Sequence, residues 1–260
     1  MQTLSLGKHN PKLIEIRKAV QHSELTADGL LPIEGPKLLD EAIRSGLTIA
    51  DIFVRPGIDL RAVPPGTRVY ELEASVFKTI QGTETSQGIV ALVRPPCFAM
   101  RQLLEQRAPL LVVLARLQDS GNVGTILRVA ESFSATGCIG LEGTASIHNA
   151  KTVRASTGSV FRQPHVWNVK LPQLVSDLRE HGIRIVGTAP GAKMTIDSWD
   201  WKQPTALMVG NEGGGLNEAE AAACDAVLRI PQNSSVESLN SAIATAVILY
   251  EASKHDRLSV

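Results

Sequence analysis

The sequence predicts an α/β protein in two domains, the second built on a mainly parallel sheet. Three observations carry this. Short apolar runs alternate with amphipathic helical stretches along the chain. In the second half, several of those runs end in polar or glycine-rich turns that lead directly into a helix. Finally, Arg94-Pro95-Pro96 stops the strand-like run GIVALV, and proline restricts the residue before it, so a boundary belongs there. The expected domains are residues 1–97 and 98–260.

The first half begins with a basic helix over 11–20 and a strand near 30–33. Pro36 suits the first position of a helix over 36–45, and Gly46 suits its left-handed end. Strands at 49–54, 69–72 and 89–93, with a helix around 74–80, complete a small α/β sandwich. Beyond the boundary, strands are expected at 110–114, 138–141, 165–169, 183–187, 206–209 and 226–230. Helices lie between most of them, and a last helix covers 240–254. The helix after the first of these strands shows Val123, Ile126, Leu127 and Ala130 on one face. Asn122 stands where its N-cap is expected.

Composition narrows the function. The 260 residues, 43% of them hydrophobic, can fill two cores. Equal numbers of basic and acidic residues, 26 each, give no overall sign of nucleic-acid binding, although a local basic patch suffices for it. Cys97, Cys138 and Cys224 are far apart and read as free thiols of a reducing compartment. The start MQTLSLGKHNPK lacks the apolar core of a signal peptide, and the longest apolar run, 108–115, is too short to span a bilayer. A soluble cytoplasmic protein is expected. The glycines of GNEGGGL match neither G-x-x-x-x-G-K-[ST] nor G-x-G-x-x-G, which argues against P-loop and dinucleotide folds. No H-E-x-x-H or Cys/His cluster suggests a metal.

Three blocks stand out: PLLVVLARLQDSGNVGTILRVAESFSATG at 109–137, ALMVGNEGGGLNEAEAAACDAVLRIP around 210, and QNSSVESLNSAIATAVILYEAS at the end. The first contains Asn122, Gly124 and Arg128 in the pattern N-x-G-x-x-x-R, the second Gly210-Asn211-Glu212, and the third Ser238-Leu239-Asn240. Together they resemble the three motifs of the SpoU (TrmH-type) family of RNA ribose 2′-O-methyltransferases, over roughly residues 109–254. The stretch LPIEGPKLLDEAIRSGLTIADIFVRPG resembles the ribosomal-protein-like RNA-binding domain that often precedes that catalytic domain.

The resemblance implies a SPOUT parallel sheet with a deep trefoil knot, against the general rarity of knots. It implies S-adenosyl-L-methionine as cofactor, bent in the knot and held largely by backbone groups at strand ends, where main-chain donors and acceptors meet adenine. By position, Gly210, Ile230 and Leu239 are the cofactor residues, with Thr188 beside them. A bulky residue at Gly210 is expected to fill the adenine slot. Arg128 takes the central catalytic role, with Asn122 arranging its surroundings. A guanidinium stays protonated at ordinary pH, so its physical role is to grip phosphate and stabilise a developing oxyanion.

Glu212 binds a hydroxyl or caps the following helix. Ser238 and Asn240 precede the last helix, as N-caps do, and line the site in the family. No metal is required. For RNA, Lys8, Lys12, Arg17 and Lys18 of the first helix, with Arg154 and Arg162, are the phosphate candidates. The 4% aromatic content argues against extensive base stacking. The substrate implied is ribosomal rather than transfer RNA. The alternatives are a transfer-RNA 2′-O-methyltransferase and a catalytically silent RNA-binding protein on the same fold, with a small-molecule methyltransferase or nucleotide-binding enzyme behind them. A homodimer is expected through the apolar face Ile243-Val247-Tyr250 of the last helix.

Overall fold

A computed structural model describes residues 4–60, 62–233 and 238–255. The chain forms two compact units, one of residues 1–97 with 148–162, the other of residues 98–147 with 163–260. The segment 148–162, expected within the second domain, therefore packs in the first. Its helix is anchored there by Asn149, which donates to Ser23 Oγ at 2.9 Å, and by Arg162, whose Nη1 lies 2.8 Å from Glu41 Oε2.

In the first unit the elements are β1 (Leu4–Ser5), α1 (Pro11–His22), β2 (Leu31–Glu34), α2 (Pro36–Arg44), β3 (Ile49–Val54), β4 (Arg68–Glu71), α3 (Ala74–Phe77) and β5 (Ile89–Val93). The sheet order is β1-β4-β3-β5-β2, with β5 antiparallel to both of its neighbours. Asn10 caps α1 by accepting from Lys12 N, and α1 buries Leu13, Ile16 and Ala19. Leu13 and Ile16 meet Phe53, Leu72, Phe77 and Ile80 in one core. Gly46, at φ +71°, takes the left-handed position just past α2.

In the second unit, α4 (Met100–Leu104) precedes β6 (Leu110–Leu114), α5 (Ser120–Ser132) and β7 (Gly137–Leu141). After α6 (Ala150–Ser156), which belongs to the first unit, come β8 (His165–Val169), α7 (Leu171–Glu180), β9 (Arg184–Thr188), β10 (Met194–Thr195) and β11 (Thr205–Val209), then α8 (Glu218–Ala223), β12 (Ala226–Arg229) and α9 (Ser241–Ser253). The seven strands run in the order β10-β12-β9-β11-β6-β7-β8, all pairs parallel. Strand β6 is fully buried from Leu110 to Leu114, as a sheet covered on both faces requires. Each such side chain contributes roughly 1.5–3 kcal/mol, so a charge at Val112 would break the sheet at its centre.

Helix α5 starts three residues earlier than expected. Asp119, not Asn122, is its N-cap and accepts from the N–H groups of Gly121 and Asn122. Asn122 sits in the first turn with its amide free for tertiary use. The short β1 and β10 carry no periodicity that sequence could show. Among the described residues no helix is long and apolar enough to cross a membrane.

Candidate functional site

The carboxyl ends of β6 and β11 lie side by side, with Val209 opposite Leu114. In a parallel sheet this edge is where loops build ligand sites. The loop after β11 turns back on itself. Asn211 N donates to Gly215 O at 3.0 Å, Gly215 N donates to Asn211 O at 2.9 Å, and Gly215 adopts φ +64°. Gly210 is required by this closure: a Cβ there would stand 2.3 Å from the Gly215 carbonyl carbon and 2.5 Å from Leu216 N. A bulky residue at 210 therefore collides with the loop's own backbone, a cost separate from any filling of the cleft that Gly210 lines.

The three motif turns are tied by an unbroken chain of hydrogen bonds. Asn122 Nδ2 donates to Glu212 Oε1 at 3.1 Å, and Asn240 Nδ2 donates to Asn122 Oδ1 at 3.0 Å. Asn240 in turn caps α9, its Oδ1 accepting from Ala242 N and Ile243 N at 2.9 and 3.2 Å. Glu212 also accepts from the backbone N–H groups of Gln118 and Asp119, both at 3.3 Å. Partial burial opposes its charge, but these bonds, led by that from Asn122, outweigh it and hold the carboxyl below its usual range. Glu212 is thus an anion fixed on the turn before α5, not the cap of α8. That cap is Asn217, in a reciprocal box with Glu220.

A cleft of about 650 Å³ opens beside this network, within the size range of small-molecule sites. Thr188, Gly210, Ile230, Ser238, Leu239 and Asn240 all line it, contributed by the segments after β9, β11 and β12 and before α9. Glu212 and Arg229 are the charged side chains among its lining residues.

Arg128 does not line the cleft. It projects from the exposed side of α5, and among the described residues its guanidinium makes no hydrogen bond or ion pair. The basic residues of the first unit divide in two. Lys12 Nζ is 2.7 Å from Asp51 Oδ2, a fully buried carboxylate that Arg68 also meets at 2.7 Å. Arg17 donates to Thr79 Oγ1 and to the Lys8 carbonyl at 3.0 and 2.6 Å. Lys12 and Arg17 are thus committed within the fold, as is Arg162 to Glu41. Lys18 and Arg154 are exposed and carry no such pair among the described residues.

Two site residues escaped the sequence. Arg116, just past β6, pairs with Glu220 through Nε and Nη2 at 2.7 and 2.9 Å. No local pattern marks Arg116, whose partner lies 104 residues on. The N-x-x-E spacing of Asn217 and Glu220 was a readable capping signal.

A family profile described as the SpoU rRNA Methylase family matches residues 109–250, and one described as the MRM3-like substrate binding domain matches residues 10–91. The chain is 32% identical to the 23S rRNA (guanosine(2553)-2′-O)-methyltransferase RlmP of Bacillus subtilis, over 93% of this chain and 95% of that protein. Among solved structures, it is similar to the SpoU methyltransferase AviRb from Streptomyces viridochromogenes in complex with AdoMet, with TM-score 0.84 and 27% identity over 95% of this chain and 98% of that one. It is also similar to an AdoMet-bound rRNA methyltransferase from Sinorhizobium meliloti, with TM-score 0.83 and 30% identity over 98% and 99% of the two chains.

Proposed function

The chain belongs to the SpoU rRNA methylase family, and from that premise we propose that it methylates a ribose 2′-hydroxyl in ribosomal RNA, using S-adenosylmethionine. The observation that carries this is the Glu212–Asn122–Asn240 chain, which joins all three motif turns beside a cleft lined by strand-end residues. The residues fit the cofactor. Backbone groups at Gly210, Ile230 and Leu239 offer donors and acceptors for adenine, with Thr188 beside them, and Glu212 and Arg229 supply opposite charges for a zwitterionic tail.

The cofactor supplies a methyl group already activated on a sulfonium, so the protein's task is alignment and charge management. Bound in the cleft, the cofactor would give that methyl to the ribose oxygen and leave as the neutral thioether, and the hydroxyl proton would pass to water or an RNA phosphate. Asn122 uses both ends of its amide on Glu212 and Asn240, so it positions rather than reacts. Arg128 grips an RNA phosphate and stabilises the developing oxyanion, a role that suits a permanently charged fork. Ser238 and Asn240 face the space where cofactor and ribose meet.

The first unit serves as the RNA-binding part, residues 1–97 with 148–162 added, and presents Lys18 and Arg154 to phosphate. The second unit, from residue 98, is catalytic. Its knot is supported by the crossover from β11 to β12 past β9 and by Asn240 returning to bond Asn122. It pairs with a second copy through α9, whose Ile243 and Tyr250 are 56% and 53% exposed, and it works in the cytoplasm, where its RNA is. Incubation with S-adenosylmethionine and rRNA from a deletion strain, then nucleoside mass spectrometry, tests the activity. A new 2′-O-methyl nucleoside is expected; a methyl on a base, or none, would overturn the proposal.

A further inference from the structure

We infer that the Arg116–Glu220 pair is a positioning device for the glycine-rich loop, and thereby sets how tightly the cleft holds its cofactor; this rests on the function proposed above. Of the five non-glycine residues with positive φ among the described residues, Arg116 (φ +59°) alone lies in a turn that leads from a strand into a helix. A left-handed conformation costs an ordinary residue free energy and persists only where its surroundings impose it.

Those surroundings are specific. The guanidinium fork spans both carboxylate oxygens of Glu220, which is 2% exposed, and Nη2 also reaches the Gly215 carbonyl at 3.5 Å. The Arg116 carbonyl accepts from Asn211 Nδ2 at 2.9 Å, and its N–H donates to Thr144 Oγ1 at 3.2 Å. Glu220 Oε2 also accepts from Asn217 N at 2.8 Å. One residue after β6 thus grips the start of the loop at Asn211, its end at Gly215, and the helix that follows it.

Besides these contacts, the loop is held by its own Asn211–Gly215 backbone pair, by Gly213 N on Asn211 Oδ1 and by the bonds that Glu212 accepts. Glu212, Gly213, Gly214 and Gly215 are exposed, and all four line the cleft. Neither Arg116 nor Glu220 does, so the pair acts through the loop and not on the ligand. A bidentate, charge-assisted pair is directional enough to fix a loop that contains three consecutive glycines.

Calorimetric titration of S-adenosylmethionine, with Tm measured in parallel, tests the inference. Glu220→Gln should weaken binding about tenfold or more, the order expected on losing a charge-assisted hydrogen bond. In turnover, KM for S-adenosylmethionine should rise by more than kcat falls. Arg116→Lys, which keeps the charge but loses the fork, should fall between.

The double variant Arg116→Met/Glu220→Leu separates positioning from stability, because Glu220 is the buried partner and Arg116 the half-exposed one, and apolar replacement of both leaves no buried charge unpaired without restoring the grip on Gly215. Its Tm should return towards the parent while its affinity stays weak. Recovery of affinity together with Tm, or unchanged affinity in Glu220→Gln, would overturn the inference. Failure of the parent protein itself to bind would instead overturn the function on which the inference rests.

Discussion

Helix α5 carries Asn122 and Arg128 six residues apart, and they live in opposite circumstances. Asn122 is held at both ends of its amide by Glu212 and Asn240, whereas the Arg128 side chain reaches into solvent with no partner among the described residues. Six residues turn an α-helix by about 240° beyond a full turn, enough to place one residue in the motif network and the other outside it. Groups that shape the cleft are fixed when the chain folds. The group proposed to grip the RNA is left without a partner among the described residues.

The largest effect should come from the free end. Arg128→Ala should lower the single-turnover rate by about 10²-fold or more with RNA and cofactor saturating, and Arg128→Lys should also be poor. Neither should shift Tm appreciably, because the residue is exposed and has no partner among the described residues. Near-parental rates in both would break the comparison.

The fixed end is probed by two glycines. Gly210→Ala forces a Cβ into the backbone of Gly215 and Leu216, and should cost about 1–3 kcal/mol with a measurable loss of cofactor affinity. Gly213→Ala meets only Asn211 Oδ1, at 3.6 Å, and should leave stability near the parent. Equal denaturation midpoints would show that the loop is not closed in solution.

Acid should loosen the same region. Glu220 is opposed by its burial but held ionised by Arg116 and the Asn217 N–H, with a net downward shift. Its folded value lies below the unfolded one of about 4.3, so its stabilisation is complete above that pH and lost as pH falls through the folded value. Glu220→Gln should therefore flatten the acid limb of a Tm-against-pH curve; an unchanged limb would place the titration elsewhere.

The smallest effect concerns the first helix. Lys18→Ala should weaken RNA binding a few-fold and lower the salt slope by about 1. Arg17→Ala should instead lose about 0.5–1.5 kcal/mol of stability, since its guanidinium serves Thr79 and Lys8. A reversed outcome would reassign the phosphate contacts.

Much of the fold was legible because its strands are short apolar runs and its helices begin at recognisable caps. Strands β3, β5, β6 and β8 have the limits that their sequence suggests. The start of α5 was misplaced because Asp119 and Asn122 are both good caps, and sequence does not say which one tertiary bonds will claim. In the site, the motif turns were visible one by one, but the Glu212–Asn122–Asn240 bonds join positions 90 and 118 residues apart. The same distance hid the role of Arg116. Lys12 and Arg17 are marked as phosphate candidates by their charge, which is written in sequence, while their partners within the fold are not: the buried Asp51 that Lys12 meets is 39 residues away.

Titrating S-adenosylmethionine into the parent protein and Arg128→Ala, with no RNA present, tests the division between a fixed cleft and a free arginine most directly. Saturable binding of the same affinity in both proteins is the expected result. Binding that appears only when RNA is added, or that disappears in Arg128→Ala, would contradict it.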